Sequence, residues 1–302
     1  MKKVIMILGP TAVGKSKVGV ELAKKFNGEI ISADSVQIYK DLNIGSAKVT
    51  EDEMEGITHY GINLLNPEGE FSVFEYVNYT KEKIEEICAK GKTPIIVGGT
   101  GLYVKALTLG YNFGGVNKDE EFRNNAERLI EEKGVDYIYQ EIYKKNPKIL
   151  EKIDKNNKKR LIRAYEIVNS EGVQTTSEFN CDYKLFALNM DREVLYNRIN
   201  KRVDIMVNSG LLEEVKGLIE KGLTLENQSM KAIGYKEVIE YLNGDCDYEY
   251  MIDKIKQHTR NYAKRQLTFI RGLDNVNYID MKDFDKAIKE IEGVVSSWIQ
   301  TY

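Results

Sequence analysis

The chain has 302 residues, which suggests about two domains and a core that needs no disulfide or structural metal. Its 42% hydrophobic and 30% charged residues exclude a disordered chain, and no apolar run approaches the roughly 20 residues of a membrane helix. The net charge, 44 basic against 47 acidic side chains, is −3 and does not mark a nucleic-acid binder. Cys88, Cys181, Cys246, His59 and His258 lie far apart with no CxxC pair, so neither a disulfide framework nor a His/Cys zinc site is expected. Val4–Leu8 is too short for a signal-peptide core, and the expected compartment is the cytoplasm.

Val4–Leu8 reads as a buried parallel strand ending at Gly-Pro. Val18, Leu22 and Phe26 recur every four residues, one face of a helix that Asn27-Gly28 stops. Ile30–Ala33 and Pro94–Val97 are further strands, so helices alternate with strands as in βαβ units around a parallel sheet. The texture changes near Asn112. Residues 113–180 carry short charged helices at Glu121–Lys133, Tyr137–Lys145 and Lys158–Asn169, and read as a helical insertion into a core formed by 1–112 and 181–302. Strand texture returns at Lys184–Leu188. A helix with Leu195, Ile199, Val203 and Val207 on one face then runs to Gly210, followed by helices at Leu211–Lys221 and Lys236–Leu242. Met251–Arg271 is a long basic helix; residues 254–271 hold six basic side chains and no acidic one. Val276–Ile279 is an edge strand. Phe284, Ile288, Ile291, Val295 and Trp298 form the apolar face of a final helix, with Trp298 in the core.

Gly9, Pro10, Thr11, Ala12, Val13, Gly14, Lys15 and Ser16 fit GxxxxGK[ST], between an apolar strand and an amphipathic helix. The glycines let backbone N–H groups turn toward phosphate oxygens, and the helix N-terminus adds positive partial charge. Lys15 would reach the terminal phosphates and the Ser16 hydroxyl would ligate Mg²⁺. A nucleoside triphosphate, ATP first, is the usual ligand of such a loop. The usual Mg²⁺-supporting strand ends in Asp, but Ile95–Val97 runs into Gly98-Gly99-Thr100 and only Ile30–Ala33 leads to an Asp, Asp34. Asp34 and Thr100 both follow strands at the edge where open α/β sheets bind ligands. From the residues alone, Asp34 is open to roles as a base, a helix cap or a partner of the metal, and Thr100 to a cap or a site residue.

Behind GPTAVGKS stand, in order, ADSVQIYKDLNIGSAK (33–48), VGGTGLYVKAL (97–107), KKRLIRAYEI (158–167), KAIGYKE (231–237) and TRNYAKRQLTFIRG (259–272). These blocks span nearly the whole chain and closely resemble the bacterial tRNA dimethylallyltransferase, or tRNA isopentenyltransferase, family. The resemblance implies a P-loop NTPase-like α/β core with an inserted helical domain that grips the anticodon arm. It implies transfer of a dimethylallyl group from its diphosphate to N6 of the adenine beside the anticodon, with Mg²⁺ and without ATP hydrolysis, by a cytoplasmic, monomeric enzyme. By position it makes Thr11–Ser16 the diphosphate cradle, Asp34 the base, Thr100 a residue at the reacting adenine and Arg202 a diphosphate ligand. The tRNA contacts it implies are Asp34, Ser35, Val36 and Gln37; Arg123; Lys159, Arg160, Leu161, Ile162 and Arg163; Lys231, Ala232, Ile233, Gly234, Tyr235 and Lys236; and Lys264, Arg265, Gln266, Leu267, Thr268, Phe269, Ile270 and Arg271, to which the basic helix face adds Arg260. The chain departs from the pattern at Val49 (usually Pro), at Asp154-Lys155-Asn156-Asn157 (usually HPND) and at Phe269 (usually Trp).

The chemistry suits these residue types. A diphosphate leaving group gains charge as the allylic C–O bond breaks, which Lys15, Mg²⁺ and an Arg stabilise. A carboxylate helps a weakly nucleophilic adenine amine by taking its proton. The base must leave its stack, and Tyr39 or Tyr103 could receive it or belong to the core. Lys256, Arg260 and Lys264 share one helix face, flanked by Arg265 and Arg271, a stripe able to follow a phosphate backbone. Competing functions are a P-loop kinase for a small molecule or nucleoside, a non-enzymatic RNA-binding P-loop protein, and prenylation of free adenine nucleotides.

Overall fold

The computed structural model describes residues 1–108, 119–170 and 179–300. The chain divides into two compact units, Met1–Leu109 with Phe179–Tyr302, and Gly110–Glu178. The sequence boundary at residue 112 lies outside the described residues.

The first unit is built on one six-stranded sheet in the order β3-β2-β4-β1-β5-β6. Its strands are β1 (Lys2–Leu8), β2 (Gly28–Ala33), β3 (His59–Tyr60), β4 (Thr93–Gly98), β5 (Cys181–Asn189) and β6 (Val276–Asp280), and every neighbouring pair is parallel. Val4 to Leu8 of β1 are all buried, as a central parallel strand covered on both faces requires. Ile5 and Ile7 join Ile30, Ile95, Val97, Phe186 and Leu188 in one cluster. Val18 and Leu22 of α1 (Lys15–Lys25) and Ile291, Val295 and Trp298 of α12 (Phe284–Ile299) close that cluster. Trp298 is core, and its indole N–H donates to Asp182 at 2.7 Å.

Five elements of this unit have no counterpart among the expected ones: β3, a 3₁₀ turn at Ser229–Lys231, α2 (Glu51–Met54), α3 (Val73–Ala89) and α4 (Gly101–Thr108). Both α2 and α3 open on a capping box, Thr50 with Glu53 and Ser72 with Glu75. The remaining helices are α8 (Arg192–Asn208), α9 (Leu211–Glu220), α10 (Tyr235–Leu242) and α11 (Tyr248–Ile270), with α11 packed along α8.

Among the described residues the second unit is helical: α5 (Glu120–Lys133), α6 (Val135–Lys145), a 3₁₀ turn at Pro147–Lys152 and α7 (Lys158–Asn169). Its core joins Ala126, Ile130, Ile138, Ile142, Leu150 and Leu161. Asn157, in the segment that departs from the HPND pattern, caps α7 by accepting the Arg160 N–H at 3.2 Å.

Candidate active site

The carboxyl ends of β1, β2 and β4 open into a cleft of about 690 Å³. The Gly9–Ser16 segment leads from β1 into α1, and its residues from Thr11 onward line the cleft. Gly14 caps α1 at φ +105°, a left-handed conformation that a side chain would strain. The first N–H groups of α1, at Lys15, Ser16 and Lys17, have no carbonyl one turn back and are set to receive an anion. The Lys15 ammonium donates to the Pro10 carbonyl at 2.8 Å. Burial lowers Lys15 to about 8, with Asp34 opposing the shift and Arg202 adding to it. The Ser16 side chain lies exposed on the cleft wall.

Asp34 follows β2 directly. Its Oδ1 accepts the N–H groups of Val36 at 2.8 Å and Gln37 at 3.2 Å, so it caps a turn rather than a helix. Parallel pairing of Ala33 with Gly98 brings Thr100 alongside. The N–H of Thr100 donates to the Ala33 carbonyl at 3.0 Å, and Thr100 Oγ1 accepts the Ser35 N–H at 3.2 Å. Arg202 comes from α8 and lines the cleft; burial lowers its pKa, Arg198 adds to the shift and Glu53 opposes it. Asp34, Lys15, Ser16 and Arg202 therefore face one cavity, with Thr100 tied to its edge.

The segments expected at RNA resolve into residues of different kinds. Ser35, Val36, Gln37, Lys231, Ala232, Ile233, Gly234 and Arg265 line the cleft. Tyr235 does not: it is fully buried, and its hydroxyl donates to Glu214 at 2.7 Å. Lys236 is exposed and pairs with Glu240 at 3.5 Å. On α11, Lys264, Arg265 and Thr268 are exposed and Arg271 lies exposed just past its end, whereas Ile270 is buried and Leu267 packs on the core. Phe269 lies against Gly101, and Gln266 is buried under the phosphate loop. In the second unit Lys159 and Arg160 are exposed, but Leu161 and Ile162 are core. Arg123 and Arg163 both bind the buried Glu166, Arg123 at 2.7 Å.

One open alternative is decided and one expectation is corrected. Tyr39 and Tyr103 are both buried, and Tyr103 stacks on Tyr76 with centroids 4.0 Å apart, so neither faces an incoming base. The basic face of α11 is not free along its length. Lys256 pairs with Asp204 at 2.6 Å and Arg260 donates to Asn200 at 2.7 Å, both on α8, because that flank packs against α8.

Tyr262 was missed. It lines the cleft, with Thr100 and Gln266 as hydrogen-bonding neighbours. Burial first, and then the Asp34 carboxylate, push its phenol up to about 12, so it stays neutral. Its spacing of four from Gln266 on a helix was the available signal.

A family model described as IPP transferase matches residues 37–273. A tRNA dimethylallyltransferase of Oceanobacillus iheyensis is 47% identical over 287 residues, covering 92% of this chain and 91% of its own. The crystal structure of a full-length tRNA isopentenylpyrophosphate transferase from Bacillus halodurans aligns with TM-score 0.76 at 42% identity, over 98% of this chain and 96% of its own. A eukaryotic dimethylallyltransferase captured acting on tRNA aligns with TM-score 0.81 at 30% identity, over 99% and 80%.

Proposed function

The chain belongs to the IPP transferase family, and on that premise we propose that it transfers a dimethylallyl group from dimethylallyl diphosphate to N6 of the adenine adjacent to the anticodon of tRNA, releasing diphosphate. The observation that carries this reading is the cleft itself, where an anion cradle with Lys15 and Arg202 faces the same space as Asp34. The cradle takes the diphosphate of the donor in place of ATP. The bond from the allylic carbon to the diphosphate oxygen breaks as the bond to N6 forms, and the N6 proton passes to the Asp34 carboxylate. Lys15, Arg202 and the loop N–H groups hold the charge that collects on the leaving diphosphate. Thr100 and Tyr262 present neutral hydroxyls beside Asp34 and orient the adenine.

Mg²⁺ fits this donor set. Among the described residues no cluster of three His, Cys, Asp or Glu could hold a metal, and Mg²⁺ commonly needs few protein ligands when phosphates supply oxygens. The Ser16 hydroxyl and the diphosphate oxygens would hold it, and there it would neutralise leaving-group charge.

The helical unit, with Lys159 and Arg160 exposed, serves as the grip on the anticodon arm. No helix among the described residues is long and apolar enough to cross a membrane. Action as a monomer on tRNA in the cytoplasm completes the proposal. The test is label transfer from dimethylallyl diphosphate to unmodified tRNA with ATP omitted. Label in tRNA and release of one diphosphate per label support it; an absolute ATP requirement with ADP formation would favour the kinase.

A further inference from the structure

Gln266 was expected at the RNA by position, yet its side chain is 6% exposed and both ends of its amide are engaged within the protein. Oε1 accepts the N–H of Thr11, in the phosphate loop, at 2.8 Å. Nε2 donates to the carbonyl of Gly99, at the end of β4, at 3.0 Å. One amide thus spans the loop after β1 and the turn that presents Thr100. The approach is so close that a Cβ on Gly99 would lie 2.1 Å from Nε2, and one on Gly101 would lie 2.2 Å from the Phe269 ring. Gly99 and Gly101 let α11 lie directly on this turn.

We infer that Gln266 is a positioning residue for the donor site: it fixes the phosphate loop against the β4 turn, so that the anion cradle and Thr100 keep a set separation. Two buried hydrogen bonds to backbone groups are suited to this, because losing either leaves a desolvated N–H or carbonyl unpaired. The Gln266 amide is engaged with Thr11 and Gly99 and neighbours Tyr262 in the cleft, whereas Lys264 and Arg265 beside it are exposed. The inference rests on the reading that the loop holds a diphosphate.

The test uses the full chain with Mg²⁺ and inorganic diphosphate as the probe, and binding of unmodified tRNA measured separately. Gln266→Met keeps length and volume and removes both hydrogen bonds. It should weaken diphosphate binding about tenfold, the worth of roughly one hydrogen bond, and leave tRNA affinity within about twofold. Exchange of the Thr11 amide hydrogen should be faster in this variant. Gly99→Ala leaves Gln266 in place but forces its amide aside, and should give the same selective loss. A folded Gln266→Met protein with unchanged diphosphate affinity, or with a tRNA loss as large as its diphosphate loss, would overturn the inference, as would Thr11 protection that does not change. If the parent protein binds no diphosphate at all, the functional reading fails instead, and the two outcomes are distinct.

Discussion

The N–H of Ser35 donates to Thr100 Oγ1 at 3.2 Å, which fastens the turn after Asp34 to the turn after β4. The two residues, 65 positions apart, meet because β2 and β4 are parallel neighbours that end together at Ala33 and Gly98. The side chain of Asp34 does two jobs at that point. Oδ1 holds the turn through Val36 and Gln37, and the carboxylate faces the cleft that contains Lys15 and Arg202.

Asp34→Asn separates those jobs. The amide oxygen still accepts from Val36 and Gln37, so the turn survives, but no carboxylate remains to take a proton. Turnover should fall by about 10²–10⁴-fold, with donor and tRNA affinity changed little. Single-turnover kinetics alongside equilibrium binding checks this, and an equal loss of donor affinity would move Asp34 from base to metal support.

Lys15 gives a pH signature. With its ammonium lowered to about 8 by burial, it is charged below that value and neutral above it. Affinity for a diphosphate should therefore hold steady on the acid side and decline as pH rises through about 8. Titrations from pH 6 to 9.5 (about 1.5 units beyond the transition on the alkaline side) should show the inflection in the parent and none in Lys15→Met.

Much of this was legible in the sequence, for identifiable physical reasons. The phosphate loop, the strands beginning β1, β2 and β4, and the alternation of strand and helix follow from short apolar runs and four-residue spacing, signals that local chemistry writes directly. The helix Val73–Ala89 was missed although Ser72 and Glu75 announce it, because its polar residues dilute the periodicity. The pair His59–Tyr60 is too short for any pattern. At the site, position along the chain brings Asp34 and Arg202 to one cleft and Thr100 to its edge, but it could not tell which side of a helix a residue occupies. Gln266, Tyr235 and Ile270 are buried within segments that also carry exposed residues such as Lys236, Lys264 and Arg265, and Lys256 and Arg260 turn toward α8 only because α8 is there. Tyr39 and Tyr103 carry the ring a base would stack on, yet tertiary packing spends both on the core.

The same geometry sorts the basic residues of α11. Lys264→Ala and Arg265→Ala should each lower the log–log salt slope of tRNA binding by about one contact, or roughly 0.7–0.9 counterions. Arg260→Ala and Lys256→Ala should leave the slope nearly unchanged, since those side chains already serve Asn200 and Asp204. Affinity measured across a salt series decides between this division and a uniform stripe.

Glu166 anchors the helical unit. Its buried carboxylate accepts from Arg123, from Arg163 and from the Asp119 N–H at 2.8 Å. Burial raises its pKa, but those three partners outweigh it and hold the folded value below the ordinary one. The stabilisation is complete above the unfolded pKa and is lost as pH falls through the depressed folded value, below pH about 4. Glu166→Gln should cost about 1–3 kcal/mol in this unit, discounted because both Arg side chains are partly exposed. Hydrogen exchange of residues 120–169 should show faster opening in the variant and no acid step.

The central claim is the chemistry at one adenine. Unmodified tRNA, Mg²⁺ and dimethylallyl diphosphate are incubated with the protein in the absence of ATP, and the tRNA is digested and its nucleosides weighed and sequenced by mass. The expected result is one adenosine, next to the anticodon, heavier by a dimethylallyl group attached at N6. An RNA that binds and returns with every nucleoside mass unchanged would contradict it.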